Sequence, residues 1–283
     1  MNPRLLNLGC GSKYCSDSRW TNIDFVARGS GVIQHDLLQG IPFDAAQFDA
    51  VYHSNVLEHF TAAQGVFLMQ ECFRVLKPGG FVRVVVPDLE NICRAYMSAL
   101  GRLNAGDESC RQPYEWLKME LYDQVTRSHA GGEMSGFLKD CSRKDLEYVI
   151  ERVGADARAL AENENSCDPS PESGLMFSLW WWKLQVGKIP RVVRECWLNA
   201  VLQADEKKAL KMGQFRMSGE IHQCMYDGYS LKKLMVKSGF HNCHRVGPSE
   251  SSIPGWSSYY LDIDVCERIN APVALFMEGG KTG

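Results

Sequence analysis

A chain of 283 residues with 45% hydrophobic and 23% charged side chains can bury a large core and is neither a disordered nor a fibrous composition. A formal net charge of -3 argues against a protein that coats a phosphate backbone, since that affinity comes from clustered Lys and Arg, and no nucleic-acid partner is expected. No apolar run approaches the roughly 20 residues of a membrane span, and the N-terminus enters a strand without a leader-like stretch, so a cytoplasmic protein with no membrane partner is expected. Eleven cysteines are scattered without a C-x-x-C pair and fit neither a zinc ribbon nor a disulfide framework; no metal is expected.

In chain order, short β-rich runs come first. Arg4 to Leu8 reads as a strand ending in Gly9-Cys10-Gly11, followed by strands at Thr21 to Phe25, Gly31 to His35 and Phe48 to His53. Thr61 then opens a helix as N-cap with Gln64 three residues on, a capping-box pattern that places Val66, Met69, Phe73 and Leu76 on one face. Pro78-Gly79-Gly80 should stop it. Phe81 to Val86 is an apolar run read as a strand buried on both faces and ended by Pro87. From Leu89 to Arg216 the β pattern vanishes, and a largely helical insertion with a loop at Asn163 to Gly174 is expected. Sheet signals then return. Ser230 is read as capping a helix with Leu231, Leu234 and Met235 inward and Gly239 at its C′ position, before strands at Phe240 to Val246 and Pro272 to Glu278.

This pattern predicts an α/β Rossmann-like fold: a seven-stranded, mostly parallel sheet with helices on both faces and a large helical insertion. The chain divides accordingly into a cofactor-binding half (residues 1–88), the insertion as a substrate cap (89–216) and a C-terminal part that completes the sheet (217–283).

The chemistry-bearing residues cluster at strand ends. Asn7-Leu8-Gly9-Cys10-Gly11 is a strand running into glycines, where a backbone without side chains can approach a ligand. Taken singly, a G-x-G of this kind is also a common tight turn. Asp24, at the end of the second strand, can accept hydrogen bonds from both hydroxyls of a ribose; a turn cap is the competing reading. Its separation from the glycines is shorter than the ~20 residues of dinucleotide enzymes, so the helix after the first strand must be clipped to a turn or two.

Five segments in order carry a resemblance: Asn7-Leu8-Gly9-Cys10-Gly11; Asn22-Ile23-Asp24; His35-Asp36-Leu37-Leu38; Phe48 through His59; and Arg74-Val75-Leu76-Lys77-Pro78-Gly79-Gly80. Together they resemble the class I S-adenosylmethionine-dependent methyltransferases. The resemblance implies that S-adenosyl-L-methionine is the cofactor, with the Gly9 to Gly11 backbone, Asn7 and Cys10 included, against its methionine part. It further implies that Asp24 holds the ribose, Asp36 the adenine amino group with Leu37 beside the ring, and that Ser54 and Asn55 line the carboxylate and sulfonium. For Asp36 a plain turn residue is the competing reading. Val85 through Glu90 and the tail from Gly219 to Asp227 resemble a narrower bacterial branch associated with sugar and surface-polysaccharide modification. The insertion carries no placeable motif.

A methyl group on a sulfonium is already activated, so an enzyme of this kind aligns a nucleophile and, for a hydroxyl, removes its proton. The histidines considered are His222, His59, His53 and His129, with His222 preferred because it lies in a polar run with Glu220, Tyr226 and Asp227. The alternatives are that His59 packs with Glu58 and that His222 and Tyr226 clamp the insertion to the sheet. Trp180-Trp181-Trp182 reads as core or an interface more than as a sugar-stacking surface. The expected activity is O-methylation of a sugar or another hydroxylated metabolite, with a small-molecule acceptor as partner and a homodimer left open. A nucleic-acid or protein methyltransferase and a non-catalytic cofactor-binding scaffold are the competing functions. Ser54-Asn55-Val56-Leu57 does not follow the Asn-Pro-Pro-aromatic pattern of amino-methylating enzymes.

Overall fold

The computed structural model describes residues 2–11, 13–27, 29–154, 157, 197–198 and 200–283. The expected loop at Asn163 to Gly174 and the Trp180-Trp181-Trp182 run lie outside the described residues.

Seven strands form one sheet: β1 (Leu5–Leu8), β2 (Trp20–Asp24), β3 (Val32–Gln34), β4 (Phe48–Ser54), β5 (Leu76–Pro87), β6 (His241–Arg245) and β7 (Ala274–Gly280). Their order is β3-β2-β1-β4-β5-β7-β6. The first five are parallel, and β7 runs antiparallel between β5 and β6. This is the α/β Rossmann-like class read from the sequence. Parallel neighbours bring the C-terminal ends of β1 to β4 to one edge, and the order reverses at β1, where such sheets open a crevice for a ligand.

Helix α1 (Ala62–Val75) has the capping box at Thr61 and Gln64, but its buried face differs from the expected one. Gly65, Leu68, Met69, Cys72 and Val75 face the sheet, while Val66 and Phe73 sit at the rim. The apolar residues of this helix offer two overlapping stripes. Gly65, packed under the Tyr226 hydroxyl and Leu57, lets the helix settle on the first. The helix also ends at Val75, before the Pro-Gly-Gly turn, because Leu76 already pairs with Phe48 at the start of β5. The ladder then slips register across the turn and resumes at Phe81.

A second correction concerns the helix α7 (Gly228–Lys237). Asp227 is its N-cap and Ser230 its third residue, the two side chains bonding reciprocally to each other's backbone N–H. A carboxylate one turn earlier outcompetes the serine because it adds charge at the positive helix end.

Helices α1 and α7 pack on one face of the sheet over Leu6, Leu8, Val51, Val82, Val84 and Met277. The other face is covered by the 247–262 segment, whose Ile253, Trp256 and Tyr259 pack on Leu5, Trp20, Tyr52 and Phe276. Arg83, wholly buried, fastens this segment through Asp262 (2.7 Å), Glu278 (2.9 Å) and the carbonyls of Gly247 and Glu250. Between β5 and the returning sheet lie α2 (Leu89–Asn104), α3 (Arg111–Thr126), α4 (Gly132–Asp140), α5 (Arg143–Val153) and α6 (Ala204–Arg216). Trp116, Val149 and Ala157 form a small core of their own there. Among the described residues no helix is long and apolar enough to cross a membrane.

Candidate active site

The site is built at the edge where β1 to β4 end. Gly9 and Gly11 both have positive φ, +62° and +55°. A side chain on Gly9 would run into Val56, whereas one on Gly11 would project into open space. That open space is what a backbone-hugging ligand requires. Asn7 is buried and donates to Asn22 Oδ1 (3.1 Å), and Asn22 in turn donates to the Cys15 carbonyl (2.9 Å). Asn7 thus fixes the loop from beneath. The Cys10 thiol is raised to about 11, by burial first and by the charge of Asp24 second, so it stays a neutral lining group. Among the described residues, no helix intervenes between β1 and β2, in keeping with the short separation of glycines and acid.

Asp24 ends β2 beside this loop. Its Oδ2 accepts the Gly11 N–H at 2.8 Å and its Oδ1 accepts the Val26 N–H at 2.9 Å. Each carboxylate oxygen has a second lone pair, so both can take a further donor while the backbone holds the carboxylate in place. Asp36 caps a single 3-10 turn by accepting the Leu38 N–H at 3.0 Å, and Leu37 is buried beneath it. Ser54 closes β4. Asn55 follows in the left-handed region at φ +53° with its N–H on the Val85 carbonyl, a conformation asparagine tolerates better than most residues. The cofactor candidates from four strand ends therefore share one edge, and the glycine cradle with its oriented carboxylate fits an adenosyl ligand.

Next to Asn55 opens a cavity of about 210 Å³. It is lined by Asn55, Glu58, His59 and Pro87 from the β4 and β5 ends, by Ile92, Glu120, Gln124, Met134, Arg152 and Val153 of α2 to α5, and by His222, Ala271, Val273 and Ala274. Glu120 and Arg152 form a buried two-pronged ion pair (2.8 and 2.6 Å), and Trp116 Nε1 donates to the same carboxylate at 2.6 Å. The tail segment that carries His222 is strapped down by backbone bonds. His222 N–H reaches the Gln124 carbonyl (2.9 Å), and the Gln223 N–H reaches that of Glu58 (2.7 Å).

Of the four histidines, the fold brings two together. The rings of His59 and His222 meet edge to face with centroids 4.9 Å apart. Burial pulls His222 down to about 3, with His59 and Arg127 adding to it, and burial likewise lowers His59. His53 is wholly enclosed within the sheet, with neither ring nitrogen hydrogen-bonded, and burial lowers it to about 4. As a residue of a central strand it does not line the cavity. His129 is exposed in the turn between α3 and α4 and does not line it either. Glu58, absent from the sequence-derived candidates, lies beside the two histidines; it is 1% exposed with neither oxygen hydrogen-bonded, and burial pushes it up to about 8. The only sequence signal for it is a Glu-His pair directly after a strand end. Glu120, Gln124 and Arg152 had no signal, because helical spacing does not say which polar residues face a cavity.

Residues 6–84 match the family described as methyltransferase domain. The chain is an enzyme that uses S-adenosylmethionine. Among solved structures, the methyltransferase is similar to a protein described as a methyltransferase in complex with the Haloferax volcanii Trm112 methyltransferase activator. That pair shares 12% identity over 100% of this chain and 84% of the other, with a TM-score of 0.41. It is also similar to an S-adenosylmethionine-dependent methyltransferase of Thermotoga maritima (11% identity, 100% and 84% covered, TM-score 0.37). A third, from Archaeoglobus fulgidus, shares 20% identity over 34% of this chain and 51% of the other, with a TM-score of 0.28. No curated protein matches the sequence.

Proposed function

We propose that the methyltransferase methylates a hydroxyl of a small, polyhydroxylated metabolite such as a sugar, bound in the cavity beside Asn55 with residues 89–216 as its cap. The observation that carries this reading is the cavity's mixed wall: Asn55, Gln124, Glu120 and Arg152 supply polar groups, and Ile92, Met134 and Val153 an apolar face. A few fixed polar groups against apolar walls suit a compact hydroxylated ring, and the volume is below the ~300 Å³ of drug-sized pockets.

The cofactor supplies the electrophilic methyl group on its sulfonium. Asp24, held by the Gly11 and Val26 N–H groups, anchors the ribose, and Asp36 takes the adenine end. Asn55 stands at the junction of the two sites. With the cofactor bound, the Glu58–His59–His222 cluster would stand beside the acceptor to take the hydroxyl proton as the oxygen is methylated. Burial disfavours a charge on each of these three groups.

Formation of S-adenosylhomocysteine, measured against a panel of sugars, phenols and amines, tests the reading. A sugar or related polyol is expected to turn over; turnover confined to amines or phenols refutes it. With an acceptor in hand, His222→Ala should slow the single-turnover rate about 10²- to 10⁴-fold with cofactor affinity unchanged. Full activity in that variant removes His222 from the proton path.

A further inference from the structure

We propose that Glu58, His59 and His222 bind a divalent transition-metal ion of the zinc class, with an open coordination position facing the cavity. The inference rests on the reading of that cavity as the acceptor site and deepens it.

One ligand atom from each of the three residues lies within 4.8 Å of the others. Ligands about 2.1 Å from a zinc ion stand roughly 3.4 Å apart in tetrahedral geometry, so the trio would draw in by at most about 1.4 Å on binding. Two imidazoles and one carboxylate form a nitrogen and oxygen donor set of the kind that holds catalytic zinc, with the fourth place left for water or substrate.

Three features of this chain point to a cation beyond the spacing itself. Glu58 is 1% exposed with both carboxylate oxygens unbonded, and a bare buried carboxylate requires a proton or a cation. His222 is 7% exposed with Nδ1 unbonded. His59 has its Nδ1 3.2 Å from the Ile221 carbonyl, which makes Nδ1 the protonated nitrogen of the neutral ring and Nε2 the nitrogen available as a ligand. A metal-bound histidine is commonly oriented in this way by a carbonyl behind it. The backbone around the trio is also fixed, since Gln223 and Cys224 both donate to the Glu58 carbonyl. The nearby guanidinium of Arg127 is compensated by Asp123 (3.7 Å) and Glu220 (3.6 Å), which leaves a cation tolerable beside it. An ion there would polarise an acceptor hydroxyl and lower its pKa; with their lone pairs engaged as ligands the three side chains would not take the proton themselves, and it would pass to solvent in place of the metal-free route through the cluster.

Titration of the chelator-stripped full chain with Co(II), followed by visible absorption and competed with Zn(II), tests this. One ion per chain is expected, with the d–d bands of a nitrogen and oxygen site and without the intense thiolate charge-transfer band that binding by the cysteines would produce. Glu58→Gln, His59→Gln and His222→Gln should each weaken binding about 10- to 100-fold, with melting temperature monitored in the same samples. Absence of binding, binding with a thiolate band, or equal binding in folded triple variants overturns the proposal. Because the titration needs neither cofactor nor acceptor, the two readings fail separately: turnover of a sugar without metal binding removes the ion alone, and metal binding without such turnover removes the acceptor assignment alone.

Discussion

Replacing Asp24 probes the proposed cofactor site most directly. Its carboxylate is held by two backbone N–H groups at 2.8 and 2.9 Å, and one lone pair on each oxygen remains for a ribose hydroxyl. Hydrogen bonds to a charged group contribute about 1.5 to 3 kcal/mol, so Asp24→Ala should weaken S-adenosylhomocysteine about 10- to 150-fold. Alanine also frees the Gly11 N–H and loosens the glycine loop, which mixes loss of contact with loss of shape. Asp24→Asn separates the two. It keeps an acceptor oxygen for one backbone N–H but forfeits the charge, and a loss near the lower end of that range is expected. Isothermal titration calorimetry supplies the affinities, and thermal unfolding shows whether each variant is folded. Unchanged affinity in folded Asp24→Ala would remove the carboxylate from the site and, with it, the assignment of the strand-end residues to the cofactor.

Arg83→Met should destabilise the fold by about 3 to 5 kcal/mol in denaturant unfolding, because it leaves Asp262 and Glu278 buried without their cation; a loss under about 1 kcal/mol would mean that the 247–262 segment is held by its aromatic residues alone. Glu71 is lowered from its ordinary 4.5, by its bond to Arg74 first and also by the Ile41 N–H. A lowered carboxylate stabilises the folded state above its unfolded value and loses that contribution as pH falls through the folded one. Stability should therefore decline below about pH 4.5, and Glu71→Gln should flatten that decline in acid melting curves; an identical decline in the variant refutes the assignment.

The sequence by itself determined which residues gather at the sheet edge proposed for the cofactor. Gly9, Gly11, Asp24, Asp36 and Asn55 sit at or just past the ends of strands marked by short apolar runs and turn residues, and neighbouring parallel strands must end at one edge. Their placement follows from local pattern plus the pairing rule, so it was legible within the first sixty residues. The face that α1 buries was not, because two stripes satisfy the same helical period and only the contact of Gly65 with Tyr226, far along the chain, chooses between them. The same holds for the cavity beside Asn55. Glu58 meets His222 across 164 positions of sequence through the strapping of the tail onto the β4 end, and Glu120 meets Arg152 through the packing of α3 against α5. Helical periodicity says which residues are apolar, not which helix lies opposite. The polar groups that share a cavity were therefore decided only when the tertiary packing set the helices over the sheet edge.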